Sequence, residues 1–285
     1  MTYDHHEKAG NQGDVVKHVA LIAALDTILK SFEGDEFRYA DTFAGYAYSP
    51  LILKNEWENG IEEVFDQGAR LGQNPHTKLW YEWYLRGRPH LLGGVYPGSS
   101  LIANDVCRLH NKHPHLTLWD ISPAVIANLM ETYDGQGHRL HPRSARATDR
   151  GVEGADFLFV DPPGASMVRR AGFPHWSALT NFFENPEKAI LIWLPVSFRR
   201  KKGKGGQPDE DIEDTKAQRD DALKRDFGVT VVRWGTGIRT LGCQLFYRLP
   251  ANATAALKSA VEHVVGICDW KTTLPADIQA VTHMP

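Results

Sequence analysis

The sequence predicts an α/β fold with a seven-stranded, mostly parallel sheet, and two observations indicate it. Short apolar runs of strand length alternate along the chain with helix-length segments, the pattern of a parallel sheet with helices on both faces. The last two apolar runs lie close enough in sequence to form a terminal pair, with one strand antiparallel. The predicted fold is therefore Rossmann-like, and such sheets bind their ligands at the carboxyl ends of the strands.

Composition limits the domain count and the class of protein. The 285 residues, 42% of them hydrophobic, are enough for a single domain over 1–285. The polar start predicts no signal peptide, and the longest apolar run is far below the roughly 20 residues that span a bilayer, so we expect a cytoplasmic protein without membrane contact. Three widely spaced cysteines indicate reduced thiols. A formal charge of −3 argues against a protein that coats nucleic acid but allows RNA binding through a local basic face. We expect a monomer.

The first third of the chain predicts a helix, a strand and a helical insertion. Apolar residues at helical spacing predict a helix over 14–31, with Asp14 as its N-cap. Residues 37–45 then indicate the first strand, which runs into a glycine-containing turn of the kind that holds nucleotides. From 46 to 94 the large apolar residues have helical spacing, which predicts a small helical insertion.

The remaining elements alternate in the same way. Tyr96-Pro97-Gly98-Ser99 predicts a turn into a helix, with a serine as its cap. The charged, glycine-containing segment 199–225 indicates an exposed, mobile loop. Six further strands are expected at 116–120, 139–142, 157–161, 190–196, 229–234 and 243–249.

The motif Asp161-Pro162-Pro163-Gly164 indicates chemistry on an amine. It follows an apolar strand and presents a carboxylate and rigid carbonyl groups, with no N–H from either proline, at the edge of the sheet. Enzymes that use S-adenosylmethionine (SAM) to methylate exocyclic amines hold the amine hydrogens in this way. Those enzymes usually carry an aromatic residue where this chain has Gly164.

Two other candidate sites have a structural alternative. Asp120 closes its predicted strand, where a carboxylate suits the two hydroxyl groups of a ribose, but it is equally well placed to cap the next helix at Ser122-Pro123. Lys17 and His18, taken alone, indicate a pair on the surface of a helix. The three histidines His110, His113 and His115 have no cysteine or acidic partner at ligand spacing, so we expect no metal site.

Several motifs in order carry a resemblance to one family. They are Tyr3-x-His5, Ala9-Gly10-Asn11-x-x-Asp14-Val15-Val16-Lys17-His18, Asp41-Thr42-Phe43-Ala44-Gly45, Tyr96-Pro97-Gly98-Ser99-x-Leu101-Ile102-Ala103 and Asp161-Pro162-Pro163. The sequence resembles, nearly end to end, the RlmJ family of bacterial methyltransferases, which methylate N6 of an adenine in 23S ribosomal RNA. The resemblance implies a class I SAM-dependent methyltransferase fold, SAM as cofactor and protein-free 23S rRNA as partner.

The resemblance also implies residue roles. Asp161 would accept the amine as the catalytic residue, with Lys17 beside it. Contacts to SAM would come from His18, Phe43, Gly45, Ser99, Asp120, Ser144, Ala145 and Asp161. The RNA substrate would meet Tyr3, His5, Pro162, Pro163 and Gly164.

The sequence departs from the family pattern at four places. Phe43 stands where the family has a SAM-contacting histidine, Ser144-Ala145 replace an acidic residue and glycine, and Lys8 replaces a histidine. Gly164 removes the aromatic platform on which a flipped base would stack, a contact worth roughly 1 to 3 kcal/mol. These departures leave a second hypothesis open, a SAM-using enzyme that acts on a small molecule, a peptide or SAM itself.

Overall fold

A sheet of eight strands forms the centre of the computed structural model, which describes residues 9–51, 57–82, 94–146, 148–162, 188–197, 227–234, 241–268 and 270–272. The strands of the described ranges are β1 Glu36–Asp41, β2 Tyr48–Pro50, β3 Val95–Pro97, β4 His113–Trp119, β5 Arg139–His141, β6 Phe157–Val160, β7 Ala189–Ser197, β8 Gly228–Trp234, β9 Leu241–Arg248 and β10 Lys271–Thr272. The order across the large sheet is β10-β8-β9-β7-β6-β1-β4-β5, and β2 and β3 form a separate antiparallel pair.

The strand directions confirm the predicted fold class. β5, β4, β1, β6 and β7 pair in parallel, whereas β9 lies antiparallel between β7 and β8. All seven predicted strands are present, and the terminal pair is β8 and β9 with β9 reversed. The eighth strand, β10, pairs antiparallel with β8 and has two residues, too few for any periodic pattern to indicate it.

The helices of the described ranges are α1 Gln12–Ser31, α2 Glu63–Asp66, α3 Gly68–Leu71, α4 Pro75–Tyr81, α5 Ser99–Leu109, α6 Pro123–Tyr133, α7 Arg150–Glu153 and α8 Ala251–Ile267, with a π-helical turn at Glu58–Glu62. None of the helices in these ranges is long and apolar enough to cross a bilayer. The three cysteines are buried and form no disulfide with one another. The predicted mobile loop 199–225 lies outside the described residues.

The helix α1 is enclosed by the protein, and this determines the depth of the site. It packs against α8, α5 and α4, and its residues from Gly13 to Asp26 are buried. The predicted N-cap, Asp14, is wrong, because Asn11 has the extended cap conformation and its side-chain oxygen accepts the N–H of Asp14 at 3.1 Å. Asp14 therefore lies inside the first turn, where its carboxylate is available to other partners.

The two faces of the sheet are buried in different clusters. On the first face, alternate residues such as Phe37 and Tyr39 pack against α1, α5, α6 and α8. On the second face, residues such as Ala40 and Leu158 form a smaller cluster with Val152 of α7. β1 lies at the centre of the parallel strands, so the turns after β1, β4 and β6 meet at one edge of the sheet.

Candidate active site

Three carboxylates lie at the carboxyl edge of the sheet because three neighbouring parallel strands end there. Asp41 is the last residue of β1, Asp120 follows β4 and Asp161 follows β6. β1 is paired with both of the other strands, which places their ends side by side. The edge of the sheet is therefore acidic at the position where folds of this class bind nucleotides.

Asp161 is held by a buried lysine from α1. Lys17 Nζ lies 2.7 Å from Asp161 Oδ2 and 2.8 Å from Asp14 Oδ1, and the side chains of Lys17 and Asp161 are 4% and 16% exposed. Nζ also lies 5.2 Å from the centre of the Trp193 ring, within reach of a cation–π contact. Burial lowers the pKa of Lys17, but the adjacent Asp14 and Asp161 outweigh it and hold the pKa above its ordinary value. Lys17 is therefore a permanent cation that orients Asp161.

The second oxygen of Asp161 has a different environment. Oδ2 accepts the bond from Lys17, whereas Oδ1 has no hydrogen-bond partner among the described residues. Pro162, buried directly after Asp161, has no N–H to offer to this oxygen or to a ligand. Oδ1 can therefore accept a hydrogen bond from a bound group. Tyr3, His5, Pro163 and Gly164, the other predicted substrate contacts, lie outside the described residues.

Asp41 lies behind Asp161 and is completely buried. Its Oδ2 accepts the hydroxyl groups of Ser99 at 2.7 Å and Tyr39 at 3.2 Å, and its Oδ1 accepts the N–H of Phe43 at 3.1 Å. Burial raises the pKa of Asp41 to about 7, against the lowering effect of the hydrogen bond from Ser99, and the nearby Asp161 charge adds to the rise. Asp41 is thus a titratable group in the floor of the site.

Ser99 is placed differently from the cap that the sequence predicts. Gly98 is the N-cap of α5, and no side-chain cap bond is made there. A Cβ at Gly98 would lie 2.1 Å from the carbonyl oxygen of Tyr46, so only glycine lets this turn reach the turn after β1. Ser99 consequently points its hydroxyl into the site, where Asp41 accepts it.

His18 is buried beside the same turn. Its Nδ1 lies 2.9 Å from the hydroxyl of Tyr96, and the two rings are stacked with centres 5.2 Å apart. Lys17 and His18 are each 3% exposed, so the alternative of a helix surface pair is wrong for this chain. The physical reason is that α1 is covered on nearly all sides, which a local sequence pattern does not reveal.

Asp120 braces the turn after β1. Its Oδ2 accepts the N–H of Gly45 at 3.2 Å and its Oδ1 accepts the N–H of Ser122 at 2.8 Å. The cap of α6 is Ser122, whose hydroxyl accepts the N–H of Val125, so Asp120 does not itself cap the helix. Gly45 has φ of +61°, a left-handed conformation that favours glycine. Burial raises the pKa of Asp120 above its ordinary value, against these backbone hydrogen bonds.

The remaining predicted cofactor contacts lie near the same edge. Phe43, in the turn after β1, is half-buried against the cluster on the second face of the sheet. Ser144 and Ala145 follow β5, and Ala145 is buried in the same cluster. In the described ranges no three histidine, cysteine or acidic side chains are grouped so that they could hold a metal ion.

Two groups in the site were not singled out by the sequence. Asp41 was recognised only as part of a motif, although an acid that ends a strand before a glycine turn is a usable signal. Trp193 gave no signal, because its contact with Lys17 joins β7 to α1. Asp41 and Trp193 both contact helix residues that are far away in sequence.

Comparison with known proteins supports the fold. A solved structure of protein LPL1258 from Legionella pneumophila strain Philadelphia 1, assigned to the family DUF519, is similar over 94% of this chain and 98% of its own, with 16% identity and a TM-score of 0.63. At that identity the similarity concerns the fold alone.

Two less similar structures cover most of this chain. A Listeria monocytogenes protein described as a class I S-adenosylmethionine-dependent methyltransferase has 9% identity and a TM-score of 0.40, over 92% of this chain and 73% of its own. Human methyltransferase-like protein 13, solved with SAH, has 12% identity and a TM-score of 0.34, over 96% of each chain. No protein-family model and no curated protein matches the sequence.

Proposed function

We propose that this chain is a SAM-dependent methyltransferase that acts on an exocyclic amine, with adenine N6 of 23S ribosomal RNA as the first-choice acceptor. The observation that carries the proposal is the buried Lys17–Asp161 pair at the carboxyl edge of a methyltransferase-type sheet, beside Asp41 and Asp120. The motif order that resembles the RlmJ family supports the choice of acceptor.

The charges at this edge fit SAM. Four acidic side chains, those of Asp14, Asp41, Asp120 and Asp161, lie at this edge, and within the described residues the Lys17 ammonium is bonded to two of them, Asp14 and Asp161. SAM carries a sulfonium and an ammonium, so an acidic site with low exposure favours it electrostatically. Asp120, whose carboxylate is fixed by two backbone N–H groups, would hold the ribose hydroxyls. The turns at Gly45 and Gly98 would allow the ligand to approach the backbone.

The residues of the chain then position the acceptor. When bound, SAM supplies an electrophilic methyl group. Asp161 Oδ1 accepts a hydrogen bond from the amine, which turns the nitrogen lone pair towards that methyl group, and Lys17 keeps the carboxylate in place through Oδ2. The carbonyl of Pro162 can accept the second amine hydrogen without a competing N–H. Positioning at about 3 to 3.5 Å and exclusion of water supply most of the catalysis in this proposal.

A second candidate keeps SAM but changes the acceptor. Phe43 is half-buried against apolar neighbours. Unlike the histidine of the family pattern, its side chain has no group that could form a hydrogen bond with SAM. This observation, together with Gly164, favours a small-molecule or peptide acceptor, or a reaction of SAM itself, as the alternative.

The decisive experiment separates these acceptors. The purified protein is incubated with SAM, with and without protein-free large-subunit rRNA, and nucleosides and SAM products are followed by mass spectrometry. We expect new N6-methyladenosine with the wild type, a loss of at least about 100-fold with Asp161→Asn, and no change with Asp134→Asn, an exposed carboxamide control.

SAM consumption without RNA methylation would support the second candidate. Wild-type turnover by Asp161→Asn would overturn the role of Asp161, and absence of SAM binding would overturn the proposed function as a whole.

A further inference from the structure

A second concave site lies away from the acidic edge, on the second face of the sheet. It is a cleft of about 540 Å³ over the amino-terminal halves of β1, β4 and β5, and α7 forms one wall. Three of its lining residues are arginines, Arg38, Arg139 and Arg150, and we call it the arginine cleft. Arg38 precedes Asp41 by three residues of extended strand, which places the cleft about 10 Å from the acidic edge.

The strand register brings the first two arginines together. Arg38 of β1 is paired with His115 of β4, and Arg139 of β5 is paired with Thr117 of the same strand. The four side chains therefore project from one face of three adjacent strands. From the strand spacing and rise, the Cα atoms of Arg38 and Arg139 are about 12 Å apart, so both guanidinium groups can reach one ligand between them.

The third arginine is placed by a close contact of α7 with the sheet. A Cβ at Gly151 would lie 2.5 Å from Cγ2 of Thr117 and 2.9 Å from the Trp119 ring, so glycine is needed for this approach. The approach brings Arg150, the first residue of α7, to the wall of the cleft. The three arginines thus lie on two strands and a helix rather than on a loop.

The charges in the cleft are not balanced. The side chains of Arg38, Arg139 and Arg150 form no ion pair or hydrogen bond with any described residue. Glu36 is the only acidic residue in the described lining, where it faces His115 at 3.5 Å, and the carboxylate of Asp156 accepts the backbone N–H of Arg38 at 2.8 Å beside it. By contrast, Arg143, outside the cleft, is bonded to both oxygens of Asp149. These guanidinium groups create a local positive field, although the whole chain has a net charge of −3.

We propose that the arginine cleft binds phosphate groups. Guanidinium forks match the oxygens of phosphate in a bidentate geometry, and a volume of this size accommodates a nucleotide unit. The phosphate comes from the backbone of an RNA strand or from a free nucleotide. If the phosphate belongs to RNA, the inference rests on the proposed function, and the cleft gives the RNA acceptor a second contact remote from Asp161. If the phosphate belongs to a free nucleotide, the cleft is independent of the proposed function.

Direct binding tests the proposal without methyl transfer as a readout. A fluorescein-labelled single-stranded RNA and, separately, AMP are titrated into the wild type, Arg38→Gln/Arg139→Gln and Lys258→Gln over a series of salt concentrations. Lys258 is exposed on α8, across the sheet from the cleft, and its substitution removes one charge elsewhere. Unfolding midpoints and SAM binding of each variant are measured in parallel, and Arg150→Gln replaces the double variant if that variant does not fold.

For RNA, we expect the slope of log K against log salt to decrease in magnitude by about 1.4 in the double variant, since each phosphate contact with a single strand contributes about 0.7. Lys258→Gln should keep the wild-type slope. This result with no AMP binding identifies the RNA backbone as the source, and AMP binding that is lost in the double variant identifies a free nucleotide. Wild-type affinity and slope for RNA in the double variant, with AMP binding absent or unchanged, would overturn the proposal, whether or not the chain methylates RNA.

Discussion

Replacement of Lys17 by methionine should destabilise the protein strongly. The side chain of Lys17 is 4% exposed, and its ammonium is bonded to two carboxylates, Asp14 at 2.8 Å and Asp161 at 2.7 Å. Methionine has similar length and apolar character but no charge, so both carboxylates lose the cation that compensates them. Breaking a buried ion pair by removing one partner costs about 3 to 5 kcal/mol. The free energy of unfolding, measured by urea denaturation, should fall by that amount.

A matched variant separates this effect from a general loss of lysine. Lys78 and Glu82 form a pair at 3.8 Å with side chains 53% and 50% exposed, so Lys78→Met should cost less than about 1 kcal/mol. The double variant Lys17→Met/Asp14→Asn should recover part of the loss, since one uncompensated charge is removed. A loss for Lys17→Met no larger than that for Lys78→Met would show that Asp14 and Asp161 do not depend on the buried ammonium.

Three further predictions concern the turns and carboxylates around the site. Asp41 has its pKa raised to about 7 in the folded protein, so between about pH 4 and pH 7 the folded state retains a proton that the unfolded state has lost, and the contribution of Asp41 to stability falls as pH rises. Urea titrations across that window should therefore show a less negative slope of stability against pH for Asp41→Asn than for the wild type, and an unchanged slope would contradict the raised pKa of Asp41. Asp120→Asn would place an amide NH₂ against one of the two backbone N–H groups that Asp120 now accepts, and it should weaken SAM binding about 10- to 100-fold. Calorimetry measures the affinity, and a wild-type value would exclude a contact between Asp120 and the ribose hydroxyls. Gly98→Ala should cost about 1 to 3 kcal/mol in unfolding, since its Cβ would meet Tyr46, while Gly266→Ala in α8, with nothing within 4 Å, should be stabilising; equal effects would contradict the packing argument.

The strands could be predicted from the sequence because each is a local apolar run. β6 has four consecutive buried residues, and β4 ends in four more, so their composition alone indicates strands covered on both faces. The short connection between β8 and β9 also predicted that one of the two is antiparallel, and the structure shows that it is β9. The short strands β2, β3 and β10 were not predicted, because two or three residues show no clear period; β2 lies in the segment assigned to the helical insertion and β3 runs into the predicted turn.

The contacts inside the site could not be predicted in the same way. Lys17 and His18 are residue types that are common on the exposed surface of a helix. Their burial depends on the packing of α8 and α5 around α1. A serine was predicted to cap α5, in which case its oxygen would accept a backbone N–H. The Ser99 hydroxyl instead donates to Asp41, 58 residues earlier, and the position of Asp41 follows from tertiary packing.

The arginine cleft shows the same dependence on tertiary structure. Arg38 and Arg139 each occupy an outward position on a strand, where a single arginine is ordinary. The parallel register of β4 with both β1 and β5 places them on one floor, and Gly151 lets α7 close the wall. Sequence spacing of 101 residues gives no indication of this arrangement.

A crystal structure of the protein with S-adenosylhomocysteine would show whether SAM binds at the acidic edge of the sheet. We predict that the ribose hydroxyls lie within hydrogen-bond distance of Asp120 and that the sulfur faces Asp161 across the turn at Gly45. Nucleoside bound elsewhere on the protein, or no bound nucleoside at saturating concentration, would contradict the claim that the acidic edge is a SAM site.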